Sequence, residues 1–312
     1  MKKYLGQILT ILIMLLIAWG LLSLNSHSSQ APDQAKVQQS VHLPVNPTFL
    51  PIRNWSIKEP EISARSAIVV NFKPDGEEGN MLYHKNPELV LPIASLSKLM
   101  TALIVLENFS LDEAIKVSQN SVLTIGDKGN LIKGEELKVR DLLYIMLIES
   151  SNDAAMCLAS DSSRLPYKEF INLMNSKSKE LGLKATYFVD PIGLNSSNHS
   201  TVSDLALLAK YSLKFPLIWE ALKTPQATVY SIEHKFTHNL VNTNGLLEKY
   251  SFLKGGKTGY TDEAKGCMLT VSDIAGSFGD NYLITVVLGS EQREEDTEKL
   301  INWSKQAWLF SL

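Results

Sequence analysis

Residues 92–107 read PIASLSKLMTALIVLE and predict a helix in the interior of the fold. Apolar residues occupy nearly every side of this helix, which is typical of a buried helix rather than a surface one. Lys98 interrupts the pattern in the first turn, and Ser95 shares its face because the two are spaced i and i+3. A buried lysine is driven towards its neutral form, which can act as a general base for a hydroxyl nucleophile. The alternative interpretation is an N-capping Ser95 with a Lys98 side chain that reaches solvent.

The S-x-x-K spacing alone is a weak signal, because it also occurs at Ser176–Lys179 and at Ser251–Lys254. Ser176 lies in the polar end of a predicted helix, where a lysine keeps its water and its proton. Ser251 precedes a glycine-rich strand and has no partner motif after it. Only Ser95 begins an apolar helix, so the sequence favours Ser95 and Lys98 as the reactive pair.

Two further motifs follow in order. Ser150-Ser151-Asn152 lies in a break between two apolar helical segments, where the i, i+2 spacing directs the first and third side chains into one cleft. Lys257-Thr258-Gly259 lies in a glycine-rich strand that lets an extended ligand backbone approach closely. Its lysine and threonine offer a cation and a hydroxyl to a carboxylate.

Strands are predicted at both ends of the chain and helices between them. The predicted strands are 67–72, 81–84, 253–259, 266–272 and 282–289, and the predicted helices are 95–108, 140–149, 167–181, 203–215 and 294–310. This order predicts an α+β fold, in which both chain ends form an antiparallel sheet packed by helices and the middle forms a helical lobe.

The N-terminus predicts export. Two lysines in a cytoplasmic stub (residues 1–4) precede an apolar run at 5–24, which is long enough to span a bilayer. The positive-inside rule then places the rest of the chain on the extracytoplasmic side of a single-pass membrane anchor. A cleaved signal peptide is the alternative. Residues 25–58 are rich in Ser, Gln and Pro and are predicted as a flexible tether, and 59–312 as the catalytic domain.

Composition excludes several classes of function. The 30 basic and 33 acidic residues give a net charge of −3, which supplies no basic field for nucleic acid. Cys157 and Cys267 are predicted to be two separate buried thiols rather than a disulfide. His234 and His238 have the spacing of a zinc pair only on a helix, and they lie in a segment predicted as strand or hairpin. No metal and no cofactor is predicted.

The ordered set S-x-x-K, S-x-N and K-T-G is the signature of penicillin-binding proteins and class A β-lactamases. Over about residues 60–312 the chain resembles the low-molecular-mass D-alanyl-D-alanine carboxypeptidases, peptidase family S11. The resemblance rests on SLSKLM, GEELKVRDLLYIMLIESSNDAA, DPIGLNSSNHSTVSDLALLA, VNTNGLL and LKGGKTGYTDEAKGCMLTV. It implies the β-lactamase/transpeptidase-like fold, with the active-site cleft between sheet and helical lobe.

The resemblance also implies catalytic roles. Ser95 would be the acylated nucleophile, Lys98 its base, and Ser150 the relay that passes a proton to the leaving D-alanine. The backbone N–H groups of Ser95 and Tyr260 would form the oxyanion hole. Some relatives carry an arginine just after the strand equivalent to 282–289, and whether Arg293 takes that role is left open.

The remaining implied roles concern substrate binding. Asn152 would hydrogen-bond the substrate amide, and Lys257 and Thr258 would hold the terminal carboxylate beside Gly259 and Tyr260. The implied reaction removes the terminal D-Ala from peptidoglycan stem pentapeptides, with β-lactam antibiotics as covalent inhibitors.

Three alternative functions remain open. The nearest is a D,D-endopeptidase acting on peptidoglycan cross-links. A class A β-lactamase is next, although the Glu-x-x-Leu-Asn loop that it needs has no match between Asn152 and Lys257. The last is a non-catalytic penicillin-binding module.

Overall fold

The computed structural model describes residues 51–72, 79–126, 129–273 and 282–309. These residues belong to one compact unit, assigned to residues 49–312. The predicted stub, the predicted anchor at 5–24 and most of the predicted tether lie outside the described residues. Across the part of the chain that is described, no helix combines the length and the apolar character needed to cross a bilayer.

Strands and short helices alternate along the described chain. The strands are β1 Ile52–Arg53, β2 Ser66–Phe72, β3 Asn80–Lys85, β4 Leu91–Pro92, β5 Ala114–Lys116, β6 Glu136–Lys138, β7 His199–Ser200, β8 Gln226–Tyr230, β9 Thr237–Val241, β10 Leu253–Thr261, β11 Lys265–Asp273, β12 Tyr282–Ser290 and β13 Trp308–Leu309. The helices are α1 Ser97–Asn108, α2 Gln119–Val122, α3 Val139–Ile148, α4 Asn152–Ser160, α5 Tyr167–Glu180, α6 Val202–Ser212, α7 Pro216–Lys223, α8 Leu246–Lys249 and α9 Arg293–Ala307. A 3₁₀ turn, Ala94–Leu96, precedes α1.

The main sheet has five strands in the order β10-β11-β12-β2-β3, and every neighbouring pair is antiparallel. The N-terminal hairpin β2–β3 therefore lies beside the C-terminal strand β12. This confirms the predicted sheet built from both ends of the chain, and β10, which carries the K-T-G motif, is an edge strand.

Alternating side chains of β2 point to the two faces of the sheet. Ile68 and Val70 join the large core shared with the lobe helices, whereas Ala67 and Val69 pack with Trp303 of α9. Helix α1 contacts α3, α4, α5 and α6 and is buried for nine consecutive residues from its start. The predicted burial of this helix is thus confirmed.

The closing helix is shorter than predicted. It ends at Ala307 instead of continuing to residue 310, because Trp308–Leu309 pair as a strand with Ile52–Arg53. The Arg53 guanidinium also lies 4.4 Å from the centre of the Trp303 ring. Folded structure therefore begins inside the segment predicted as a tether (25–58), since a partner more than 250 positions away in the chain supplies the second strand.

The two cysteines are separate, as predicted. Cys157 lies in α4 and Cys267 in β11, and both are buried and free. Burial raises the pKa of both thiols, that of Cys267 to about 12, so neither forms a thiolate at neutral pH.

Candidate active site

Three segments that are distant in sequence meet at the edge of the main sheet. The 3₁₀ turn before α1 carries Ser95 and contacts β10, which carries Lys257. The break between α3 and α4 carries Ser150. The structure therefore brings together the three motifs that the sequence singled out.

Lys98 is fully buried, and its Nζ lies at hydrogen-bond distance from three oxygens. It donates to Ser95 Oγ at 2.8 Å, to Asn152 Oδ1 at 2.6 Å and to the Ile192 carbonyl at 2.8 Å. Neither cap of this region uses a serine side chain. The alternative interpretation, an N-capping Ser95 with Lys98 in solvent, is therefore wrong.

The second and third motifs are joined by a similar contact. Lys257 is 1% exposed, and its Nζ donates to Ser150 Oγ at 2.7 Å and to the Thr258 carbonyl at 2.8 Å. Ser150 has a φ of 62°, a left-handed conformation that a non-glycine residue adopts at a cost of about 1–3 kcal/mol. The Thr258 hydroxyl lies 2.6 Å from that of Thr243, a residue to which the sequence assigned no role.

Two glycines permit close packing around the turn that carries Ser95, one on β10 and one in the turn at 190–193. A Cβ on Gly259 would lie 2.8 Å from the Ser95 backbone nitrogen. A Cβ on Gly193 would lie 2.0 Å from the Ala94 carbonyl oxygen, and Gly193 has a φ of +89°. Ala94 itself has a φ of 47°. The backbone beside Ser95 is therefore strained and tightly confined, as expected where a site depends on backbone groups.

Sequence reasoning missed the turn that orients one of the Lys98 partners. Asp190 accepts hydrogen bonds from the Ile192 N–H (2.9 Å), the Asn198 side chain (2.8 Å) and the Asn195 N–H (3.0 Å). This network fixes the turn that presents the Ile192 carbonyl to Lys98. The Asp-Pro-x-Gly pattern at 190–193 indicates a turn, but nothing in it indicates that the Ile192 carbonyl accepts a hydrogen bond from Lys98.

Two residues at the margin of the site have structural contacts. Ser151, the middle residue of S-x-N, is buried and caps α4 by accepting from the Ala154 N–H at 3.0 Å. Arg293 Nη1 donates to the Gly259 carbonyl at 3.0 Å, so its guanidinium is anchored to the strand that carries K-T-G. Tyr260, next on that strand, is 57% exposed.

The paired histidines do not converge. His238 lies on β9 and contacts Glu135, whereas His234 lies in the turn between β8 and β9. The prediction of a strand hairpin for this segment is confirmed. The described residues contain no group of three or more His, Cys, Asp or Glu side chains arranged to hold a metal ion.

Solved structures share this architecture. The crystal structure of the Streptomyces K15 DD-transpeptidase matches with a TM-score of 0.72 and 31% sequence identity, over 80% of this chain and all of that one. The fold and the meeting of the three motifs define a protein of the transpeptidase-like, penicillin-binding class.

Sequence comparisons identify the family within that class. The model of the D-alanyl-D-alanine carboxypeptidase family matches residues 54–292. A D-alanyl-D-alanine endopeptidase of Pseudomonas aeruginosa is 34% identical over 78% of this chain and 77% of its own length. D-alanyl-D-alanine carboxypeptidase DacF of Bacillus subtilis is also 34% identical, over 77% of this chain, and the chain spans 62% of that relative's length. The chain belongs to the D-alanyl-D-alanine carboxypeptidase family, peptidase family S11.

Proposed function

We propose that the protein is a serine D-alanyl-D-alanine carboxypeptidase that removes the terminal D-Ala of peptidoglycan stem pentapeptides. The observation that carries the proposal is the contact between Lys98 Nζ and Ser95 Oγ. Lys98 is fully buried, so water does not reach its amine. Such a pair is a nucleophile with its base. Family membership and the carboxypeptidase relatives support the same reaction.

Ser95 Oγ attacks the carbonyl carbon of the penultimate D-Ala, and its proton passes to Lys98. For this step Lys98 is in its neutral form, in which two N–H groups donate to Asn152 and Ile192 and the lone pair accepts from the Ser95 hydroxyl. The resulting oxyanion is stabilised by the backbone N–H groups of Ser95 and Tyr260. The close approach of Gly259 to the Ser95 nitrogen supports this, because it brings the Ser95 turn against the strand that continues to Tyr260.

Collapse of the tetrahedral intermediate breaks the peptide bond and leaves an ester on Ser95. The departing D-Ala nitrogen takes a proton from the Ser150 hydroxyl, and Ser150 recovers a proton from Lys98, which took it from Ser95. The contact of Ser150 with Lys257 supports the role of a relay. Water then attacks the ester, which releases the shortened peptide as a carboxylate and returns the proton to the site.

Substrate orientation follows from charge and hydrogen bonding. Lys257 and Thr258 bind the terminal carboxylate, and the Thr243–Thr258 hydroxyl contact holds one of these groups in place. The Asn152 side chain, fixed by Lys98 and by the Ile125 carbonyl at 2.9 Å, hydrogen-bonds the substrate amide.

A D-Ala-D-Ala pentapeptide assay with mass spectrometry tests the reaction. We expect loss of one alanine and a trapped penicilloyl adduct on the peptide that contains Ser95. The β-lactam adduct hydrolyses slowly, because the chain has no match to the class A β-lactamase loop between its second and third motifs. Rapid penicillin turnover, or label on Ser176 or Ser251, would reject the proposal.

An endopeptidase acting on cross-links is the second candidate, and the name of the Pseudomonas aeruginosa relative favours it. Incubation with purified pentapeptide monomers and cross-linked dimers separates the two activities. Faster cleavage of dimers than of monomers would assign the endopeptidase reaction to this chain.

We also propose that the catalytic domain works on the extracytoplasmic side of the bacterial membrane, held by the apolar run at 5–24. The sequence supports this through the length of the run and the lysines before it. We expect the full chain to stay in the membrane fraction through high-salt and alkaline washes. Release of a form trimmed after the run would show a cleaved signal peptide instead.

A further inference from the structure

A buried histidine lies behind the S-x-N motif and takes no part in the proposed reaction. His238, on β9, has a side chain that is 4% exposed. Its Nδ1 lies 3.2 Å from the Gly129 carbonyl oxygen, and its Nε2 lies 2.9 Å from Glu135 Oε2. Glu135 is also buried, and its other oxygen accepts from the Ile132 N–H at 2.6 Å.

With Glu135 ionised, the two partners of His238 require a doubly protonated ring. A carbonyl oxygen and an ionised carboxylate only accept hydrogen bonds, whereas a neutral imidazole has one donor and one acceptor nitrogen. Neutral His238 beside ionised Glu135 would therefore leave one contact without a proton. An imidazolium satisfies both contacts, and it also pairs the buried negative charge of Glu135.

Other charged groups around the ring act in the same direction. The Glu135 hydrogen bond is the main cause that raises the pKa of His238; burial opposes it, and Gly129 and Asp153 add to it. Glu149, at the end of α3, also interacts with the ring, and burial raises its own pKa. The described residues around the ring thus include several carboxylates, which favour the charged form of His238.

The segment held by His238 in turn contacts the S-x-N motif. Asp153, in the first turn of α4, accepts from the Gly129 N–H at 2.8 Å and from the Leu131 N–H at 3.0 Å, and it accepts from the Ser151 hydroxyl. A Cβ on Gly129 would lie 2.7 Å from Ser151 Oγ. Displacement of Gly129 would therefore move Asp153 and Ser151, which lie on either side of Asn152.

We propose that His238 is a positioning residue, a doubly protonated imidazolium that holds Gly129 and Glu135 against Asp153 and so fixes Ser150 and Asn152 in the active site. The proposal rests on the proposed function for its kinetic consequence, but not for its structural part. When pH rises past the folded-state pKa of His238, the ring loses one proton and one of its two contacts. Acylation of Ser95 then slows, because small displacements of catalytic groups are costly.

Two substitutions separate charge from packing. His238→Gln keeps a polar side chain but loses one of the two directed contacts. Glu135→Gln instead restores a matched neutral pair: the amide N–H donates to Nε2, the Nδ1–H donates to Gly129, and the amide oxygen still accepts from Ile132. Thermal unfolding of both variants checks that the fold is intact.

The kinetic readout is the acylation rate constant for a fluorescent penicillin, from about pH 6 to about pH 10. We expect His238→Gln to lower it at neutral pH by about tenfold to a hundredfold. For Glu135→Gln the ratio of the variant rate to the wild-type rate should rise with pH, since only the wild type loses a contact on deprotonation. Contributions from Lys98 and Lys257 cancel in this ratio.

The structural readout is the NMR signature of isotope-labelled histidine in the full chain, with His238 assigned by its loss in His238→Gln. We expect an imidazolium at pH values where exposed histidines are neutral, and a neutral ring in Glu135→Gln. A neutral wild-type ring at pH 7, or a Glu135→Gln to wild-type rate ratio that does not change with pH, overturns the proposal. Absence of any acylation in the wild type would instead count against the proposed function, and the NMR result would still decide the state of His238.

Discussion

The turn that leads into α1 and the end of α5 contain the same S-x-x-K spacing in opposite surroundings. At Ser95–Lys98 the lysine is fully buried and has three oxygen partners from three segments. At Ser176–Lys179 both residues are exposed. Both pairs have the same i, i+3 spacing, so the spacing by itself creates no chemistry. What distinguishes the first pair is the burial of its lysine and the contacts that distant segments make with it.

The largest expected effect is the loss of all acylation in Ser95→Ala, because this variant lacks the proposed nucleophile. Labelling with fluorescent penicillin, followed by gel analysis, measures it. Ser176→Ala removes the hydroxyl of the exposed pair and should label like the wild type. Labelling of Ser95→Ala at the wild-type level would show that Ser95 is not the acylated residue.

Replacing the lysine of each pair gives the next largest effect. Lys98→Met keeps the apolar stem but removes the base, so acylation should slow by about 10²- to 10⁴-fold. It also leaves Asn152 Oδ1 and the Ile192 carbonyl without this donor, which costs about 1–3 kcal/mol for each group left unsatisfied. Stopped-flow acylation and urea unfolding measure the two consequences separately.

Lys179→Met is the matched control for that experiment. Its side chain is exposed, so we expect the acylation rate to be unchanged and stability to change by no more than about 0.5 kcal/mol. A comparable loss of rate in both lysine variants would mean that net charge, rather than the buried contact with Ser95, controls acylation.

The sequence predicted the burial of Lys98 beside Ser95 because burial of α1 is a local pattern, visible in sixteen consecutive residues. It also predicted the strands of the main sheet and their antiparallel arrangement. It did not predict the Asp190 turn behind Lys98 or the pairing of Ile52–Arg53 with Trp308–Leu309. Those features depend on contacts between segments far apart in the chain, for which the local periodicity of each segment carries no signal.

The contacts of His238 could not be predicted from the sequence for the same reason. Its sequence context raised only the question of a zinc pair, which strand geometry argued against. Its partner Glu135 lies 103 residues earlier, in a segment with no strong local pattern. A contact of this kind becomes visible only when β9 and the segment before β6 are seen together.

Glycine substitutions test how tightly the backbone around the Ser95 turn is packed. Gly193→Ala places a Cβ 2.0 Å from the Ala94 carbonyl oxygen in addition to the strain of a φ of +89°. We expect a loss of unfolding free energy of about 3 kcal/mol or more, together with slower acylation, because the clash displaces the turn that carries Ser95. Urea unfolding and penicillin labelling measure both.

Gly182→Ala, just after α5, is the control for that variant. Gly182 has a φ of +71° but nothing within 4 Å of an added Cβ, so only the backbone strain remains. Its cost should be about 1–2 kcal/mol, with acylation unchanged. Equal losses in the two variants would show that strain alone, and not the contact with Ala94, limits the Ser95 turn.

The smallest expected effect concerns Lys177, between the two residues of the exposed pair. Its Nζ lies 2.9 Å from Glu107 and 2.8 Å from Glu180. Partial burial lowers the pKa of Lys177, but the hydrogen bonds that it donates to Glu180 and Glu107 outweigh burial and raise the pKa above its usual range. A raised folded-state pKa stabilises the fold fully below the unfolded-state pKa, about 10.4, and this stabilisation is lost as pH rises further.

Lys177→Met should therefore cost about 1 kcal/mol at neutral pH. The difference from the wild type in urea unfolding should stay constant up to about pH 9 and shrink above about pH 10.4, and acylation should not change. A difference that already shrinks between about pH 6 and about pH 9 would contradict the raised pKa, because only a lysine that loses its proton in that range would produce it.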